Sequence, residues 1–183
     1  MASYKPIVIT KKGHALMSKL IAGASALKFT KVVASDYQYS DSSLEGLTSL
    51  ANQKQTSEVS QVKRIADASV LIQVGYANEN LKAGYYMRTL GIYAKDPDEG
   101  EILYAVMSAD IAPWMPPYNG LTKSSATFNL SLTVGNSENV SIELIGSAFV
   151  TVDMFNSFKQ EVGNKLKVYM TSGSDGVYIN YES

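Results

Sequence analysis

Ser125-Ala126-Thr127-Phe128-Asn129-Leu130-Ser131-Leu132-Thr133-Val134 alternates apolar and polar residues without a break. Ala126, Phe128, Leu130, Leu132 and Val134 fall on one side of an extended chain, because successive side chains of a strand point to opposite faces. Thr127, Asn129, Ser131 and Thr133 fall on the other. Gly135-Asn136-Ser137-Glu138 supplies turn residues, and Val140, Ile142 and Leu144 resume the alternation, which predicts a hairpin. This is the clearest strand pair in the chain, and it commits the C-terminal half of the domain to antiparallel sheet.

Upstream, the same period recurs. Val70, Ile72, Val74 and Tyr76 alternate with Leu71, Gln73 and Gly75. Tyr85 to Ala94 reads as a further strand, and Asp96-Pro97-Asp98-Glu99-Gly100 as a turn. Ile102, Tyr104 and Val106 continue beyond it, completing a second hairpin. Phe29 to Ala34, β-branched and aromatic, is a strand. The N-terminal part is helical in pattern. Thr10 can cap a helix over about Lys11 to Ala22, with Leu16, Met17, Leu20 and Ile21 on one face and Gly23 at its end. After a polar, tyrosine-bearing loop at Asp36–Ser43, Asp41 can cap a second short helix carrying Leu44, Leu47 and Leu50. Val152 to Val168 reads as a C-terminal helix, and the Gly-, Ser- and Tyr-rich residues after it as an extended tail or hairpin. The predicted fold class is therefore α+β: N-terminal helices, an antiparallel β-sheet or sandwich, then a short C-terminal helix and tail. The domain is expected to occupy residues 1–147 and the appendage residues 148–183.

Composition narrows the function. Sixteen basic residues against seventeen acidic ones give a formal charge of −1, so no electrostatic feature points to nucleic acid or an anionic membrane as partner. No run approaches the roughly 20 apolar residues needed to span a bilayer. Met1 to Pro6 lacks the apolar core of a signal peptide, so synthesis in a cytoplasm is expected. The N-x-S sequons at Asn129 and Asn139 fall in strand-like regions and carry no meaning there.

Catalytic constellations are missing. The chain has no cysteine and one histidine, His14, which excludes thiolate and multi-histidine metal sites. No phosphate-binding loop, dinucleotide fingerprint, zinc-protease motif or nucleophile elbow occurs. Asp96, Asp98, Glu99 and Glu101 form the densest carboxylate group, but they sit at a turn that uses Asp, Pro and Gly for backbone reasons. No catalytic, cofactor-binding or metal-ligating residue is assigned, and no cofactor is expected.

Twelve tyrosines accompany a single tryptophan. Both residue types favour interfaces, where an apolar body is buried and a polar tip stays wet. Tyr85 and Tyr86 should point to opposite faces, one into the core. Trp114-Met115-Pro116-Pro117-Tyr118 is an apolar loop with a stiff backbone, suited to closing the core, the commoner role of such a segment, or to contacting a partner. Tyr86 and the Trp114, Met115 and Tyr118 loop are thus interface candidates. Arg88, inside an otherwise apolar strand, needs hydrogen-bond partners there and is the orienting candidate. Phe155, Phe158, Val162, Leu166 and Tyr169, spaced 3, 4, 4 and 3, form an apolar stripe suited to self-association or to packing on the domain.

Three stretches taken in order resemble the N-terminal domain of phage tail-collar fibre proteins. The first is Ile9-Thr10-Lys11-Lys12-Gly13-His14-Ala15-Leu16, similar to that family's I-T-x-x-G start, with its helix leading to Phe29-Thr30. The second and most specific is Gly84 to Ala94 followed by Asp96 to Ala105. The third is the Trp114–Gly120 loop leading into Ser125–Val134. The chain departs from the family in having Arg88-Thr89 where Arg-Glu is common, and in its Tyr- and Ser-rich Asp36–Ser43 loop. The resemblance implies a structural, non-enzymatic component of a virion or phage-tail-like particle that joins a fibre to the baseplate. It further implies baseplate and tail-fibre proteins as partners and a homo-oligomer, a trimer being the usual state. With only a short segment after the domain, a short adaptor or the reduced fibre of a phage-tail-like bacteriocin is expected. A carbohydrate-binding module using exposed tyrosines and Trp114 is the alternative.

Overall fold

A computed structural model of the 183-residue chain describes residues 2–23, 27–66, 69–133, 159–160, 167–173 and 176–182. The chain divides into two compact units, Met1–Ala148 and Phe149–Ser183.

In the first unit the strands are β1 (Ser3–Tyr4), β2 (Val8–Ile9), β3 (Phe29–Ser35), β4 (Gln53–Glu58), β5 (Gln61–Ala66) and β6 (Ser69–Ala77). They continue with β7 (Tyr85–Tyr86), β8 (Thr89–Asp96), β9 (Gly100–Ile111), β10 (Trp114–Met115) and β11 (Ser125–Thr133). The helix α1 (Lys11–Gly23) lies between β2 and β3. A six-stranded sheet runs β1-β9-β8-β3-β4, with β2 also on β9; a three-stranded sheet runs β11-β6-β5; β7 and β10 form a two-stranded ribbon. Every pairing is antiparallel.

The fold is therefore predominantly β, and the α+β expectation with N-terminal helices is corrected. Of the two helices expected there, α1 forms. Thr10 caps it as predicted, its Oγ1 accepting the Gly13 N–H at 3.0 Å. Leu16 and Leu20 are buried, whereas Ile21, expected on the same face, is exposed. The second expected helix is only a 3-10 segment, Asp41–Gly46, preceded by Ser40 at the cap position and followed by an extended Leu47. Only Leu44 of the three leucines lies in that segment, Leu47 and Leu50 following its end, and Leu44 and Leu50 work as plugs rather than as a helical face. Leu44 and Leu50 are 2% and 4% exposed.

Alternation explains the layering. On β3, Val32 and Ala34 join one hydrophobic cluster and Val33 joins another, as period two requires. The larger cluster lies under α1 and the three-stranded sheet and includes Leu16, Leu20, Val70, Ile72, Val74, Tyr76, Leu130 and Leu132. The smaller, with Val33, Tyr93, Leu103 and Val106, is closed by Leu44 and Leu50. Strand β9 is thus buried on both faces from Ile102 to Ala109, more deeply than the alternation of Ile102, Tyr104 and Val106 alone suggested. The turn at residues 97–99 joins β8 to β9, as predicted.

A bulge shapes the junction with α1. Ile92 pairs with Ala105 and Tyr93 with Leu103, which leaves Tyr104 as the extra residue. Its carbonyl accepts the Thr10 N–H at 3.0 Å, and Thr10 Oγ1 donates to the Leu103 carbonyl at 2.6 Å. Only a glycine fits at position 13, where a Cβ would collide with the Tyr104 carbonyl. The Ile9–Gly13 stretch is a seat for the helix on this bulge.

The strand expected to run unbroken from Tyr85 to Ala94 is broken into β7 and β8 at Met87-Arg88. Strand β11 forms as read, but its described partner is β6, with Leu130 opposite Ile72. The expected partner at 140–144 lies outside the described residues. In the second unit, β12 (Lys167–Gly173) and β13 (Gly176–Glu182) form a hairpin. The helix expected over Val152 to Val168 therefore cannot reach its end, since Lys167 and Val168 are strand. Val168, Tyr169 and Thr171 on one strand and Val177, Tyr178 and Ile179 on the other are β-branched and aromatic residues that suit a ladder better than a helix. Tyr169 pairs with Asn180 on that hairpin, so it does not extend a helical stripe. Phe155, Phe158, Val162 and Leu166 lie outside the described residues.

Candidate functional site

The β7–β10 ribbon carries the interface candidates Tyr86, Trp114 and Met115, with Arg88 and Tyr118 flanking it. Pro113 precedes β10, and Pro116 and Pro117 follow it; lacking N–H groups, they limit it to two residues. The register sets Trp114 opposite Tyr86 and Met115 opposite Tyr85, so each pair shares a face. Tyr85 and Met115 turn inward, 3% and 2% exposed. Tyr86 and Trp114 turn outward, 46% and 51% exposed. Their ring centroids are 4.9 Å apart at an interplanar angle of 60°.

Tight backing fixes this pair. The Met87 N–H donates to the Pro113 carbonyl at 2.9 Å, and the Tyr118 N–H to the Leu81 carbonyl at 2.9 Å. Tyr4 Oη donates to the Met87 carbonyl at 2.6 Å, and Tyr85 Oη to Gln55 Oε1 at 2.9 Å. Burial, and then the Asp36 carboxylate, push the Tyr85 phenol well above its ordinary range, so it stays a neutral donor. Tyr118 is half-buried, with its hydroxyl on the Gly120 carbonyl at 3.2 Å.

Arg88 is half-buried at the break between β7 and β8. Its backbone N–H donates to the Ser35 carbonyl at 2.9 Å, and Nη1 donates to the Asp36 carbonyl at 3.0 Å. Its guanidinium carbon lies 5.3 Å from the Tyr86 ring centroid, within cation–π range. Thr89 Oγ1 donates to the Tyr37 carbonyl at 2.7 Å. Tyr37 is exposed and meets Tyr39 edge-on at 4.6 Å. Arg88 thus connects the Tyr86–Trp114 pair to the 36–39 loop. Sequence reading placed Tyr86, Arg88 and Trp114 in the candidate set. It missed Tyr37, whose contribution depends on β3 delivering its C-terminal end beside β8.

The carboxylate group at the β8–β9 turn behaves as a structural turn. Asp96 is buried and accepts the N–H groups of Asp98 at 2.8 Å and Glu99 at 3.1 Å. Lys19 bonds Asp96 and Asp98, Lys12 bonds Glu99, and Lys31 bonds Glu101. Among the described residues no group of three His, Cys, Asp or Glu side chains is arranged to hold a metal ion. His14 is exposed on α1.

No family model, no curated protein and no solved structure matches the chain.

Proposed function

We propose that the protein is a structural component of a phage tail or phage-tail-like particle, joining a fibre to the baseplate through protein–protein contacts. The observation that carries this reading is the outward Tyr86–Trp114 pair, held rigid by its backing and joined by Arg88. Trp, Tyr and Arg are the residues that dominate binding energy at protein interfaces, and a fixed pair loses little freedom on docking. The resemblance in the Ile9–Gly13, Gly84–Ala105 and Trp114–Val134 stretches supplies the particle. Self-association, as a trimer by the same resemblance, belongs to this proposal; light scattering on the full chain and on a chain ending at Ser147 tests which segment carries it.

Particles sedimented from the strain that encodes the chain should contain it, and the Y86A/W114A double variant should fold but be absent from them. A protein missing from such particles, or a double variant incorporated normally, overturns the reading. The carbohydrate-binding alternative also draws on these rings. Their 60° tilt presents a wedge, whereas a sugar stacks best on a flat face. Binding of neutral glycans by the isolated protein would favour that alternative.

A further inference from the structure

Among the described residues, the Arg88 guanidinium lies over the Tyr86 ring without an ion pair. Lys5, Lys12, Lys19, Lys31, Lys54 and Lys123 each meet a carboxylate. The carboxylate of Asp36, the residue whose carbonyl takes the Arg88 Nη1, pairs through Oδ2 with Lys54 at 3.3 Å and not with Arg88, and its buried Oδ1 has no hydrogen-bond partner. Arg88 spends one N–H on the Asp36 carbonyl, and its guanidinium makes no other hydrogen bond or ion pair among the described residues. An arginine has five N–H donors in a planar fork shaped for a carboxylate. Here that fork is half-buried beside two half-exposed rings, so a partner's acid would be bound against apolar walls, where it is screened least.

We propose that Arg88, Tyr86 and Trp114 together dock a protein segment bearing an aspartate or glutamate beside an apolar residue. The carboxylate takes the free donors of Arg88, and the neighbouring apolar side chain fills the wedge between the tilted rings. This rests on the assembly reading above and names the chemistry of the partner at that joint. The charge balance of the whole chain, −1, gives no general attraction for acids, so the preference is local to this residue.

The experiment selects a random dodecapeptide library on the full-length protein. Trp114 is the single tryptophan, so its emission reports this patch alone. Selected peptides should be enriched in Asp or Glu next to an aromatic or aliphatic residue. A tryptophan-free member should shift the Trp114 emission, and its Glu→Gln version should bind about tenfold more weakly. R88Q should abolish the difference between the two peptides. R88K, which keeps the charge but loses the fork, serves in its place should R88Q alter the near-ultraviolet circular dichroism. Peptides without an excess of carboxylates, or arginine variants that keep full discrimination, overturn the proposal. So does polygalacturonate that shifts Trp114 emission when no peptide does, which would make the ligand an acidic glycan. Failure of the two readings is separable. Particles that incorporate R88Q but exclude the double variant keep the assembly role and reject the acidic segment. Discriminating peptide binding by a protein absent from particles does the reverse.

Discussion

Gly84 lies directly beneath Trp114: a Cβ at position 84 would collide with Cζ2 of the indole and come within 2.9 Å of both the Met115 carbonyl oxygen and Pro117 Cδ. The indole could tilt away, but the carbonyl and the proline ring are backbone-bound and cannot. Gly84→Ala should therefore cost about 1–3 kcal/mol, as overpacking does, and change the emission of Trp114. Unchanged emission and an unchanged urea midpoint would show that the ribbon yields freely.

Trp114 and Met115 are neighbours with opposite duties. Met115→Ala removes a side chain that is 2% exposed and should cost about 2–5 kcal/mol. Trp114→Ala removes a half-exposed ring and its contact with Tyr86, worth about 1 kcal/mol. Denaturant titration of the two variants checks the order. A Trp114→Ala loss as large as that of Met115→Ala would make the indole a core residue.

Thr10 is fully buried and serves two elements through one hydroxyl. Thr10→Val keeps the shape and loses both bonds, so it should cost about 2 kcal/mol. Thr10→Ser should restore most of that. The urea midpoints of the three proteins, at constant slope, provide the comparison.

Asp96 is held below its ordinary value of 3.8: burial acts to raise it, and the N–H groups of Asp98 and Glu99 with the Lys19 ammonium outweigh that. Its contribution is fully present above the unfolded value and is lost as pH falls through the lower folded value. Asp96→Asn should be less stable than the parent at pH 7 and lose less on acidification below about pH 4. Parallel melting curves across that range would remove Asp96 from the acid response.

Where one periodicity acted alone, the sequence was legible. Strands β6 and β11, helix α1 with its Thr10 cap, and the turn between β8 and β9 all follow from local pattern. A helix was read over Leu44, Leu47 and Leu50 from their three-residue spacing, but the helical turn ends at Gly46, and the surface that Leu44 and Leu50 plug decides where they sit. Of the C-terminal stripe, Tyr169 alone falls among the described residues. Tyr169 satisfied a helical spacing and a strand pattern together, and pairing with β13, a non-local term, decided for the strand. In the candidate site, Tyr86, Arg88 and Trp114 could be found by residue type and position, and Tyr85 by its alternation with Tyr86. The burial of Met115 required the register with Tyr85, and Tyr37 required the sheet order. Neither is written in any local window.

Ser3 pairs with Ile111 and Val8 with Val106. Those partners are made long after the N-terminal residues have left the ribosome. Until β9 emerges, β1 and β2 have nothing to bond to, α1 has no bulge to sit on, and β8 lacks one of its two neighbours. The first half of the chain must therefore wait unfinished during synthesis, its apolar strands open to wrong partners. Translation arrested just before β9 should leave a protease-sensitive nascent chain, and release past residue 133, once β10 and β11 can also pair, should convert it within one cooperative step.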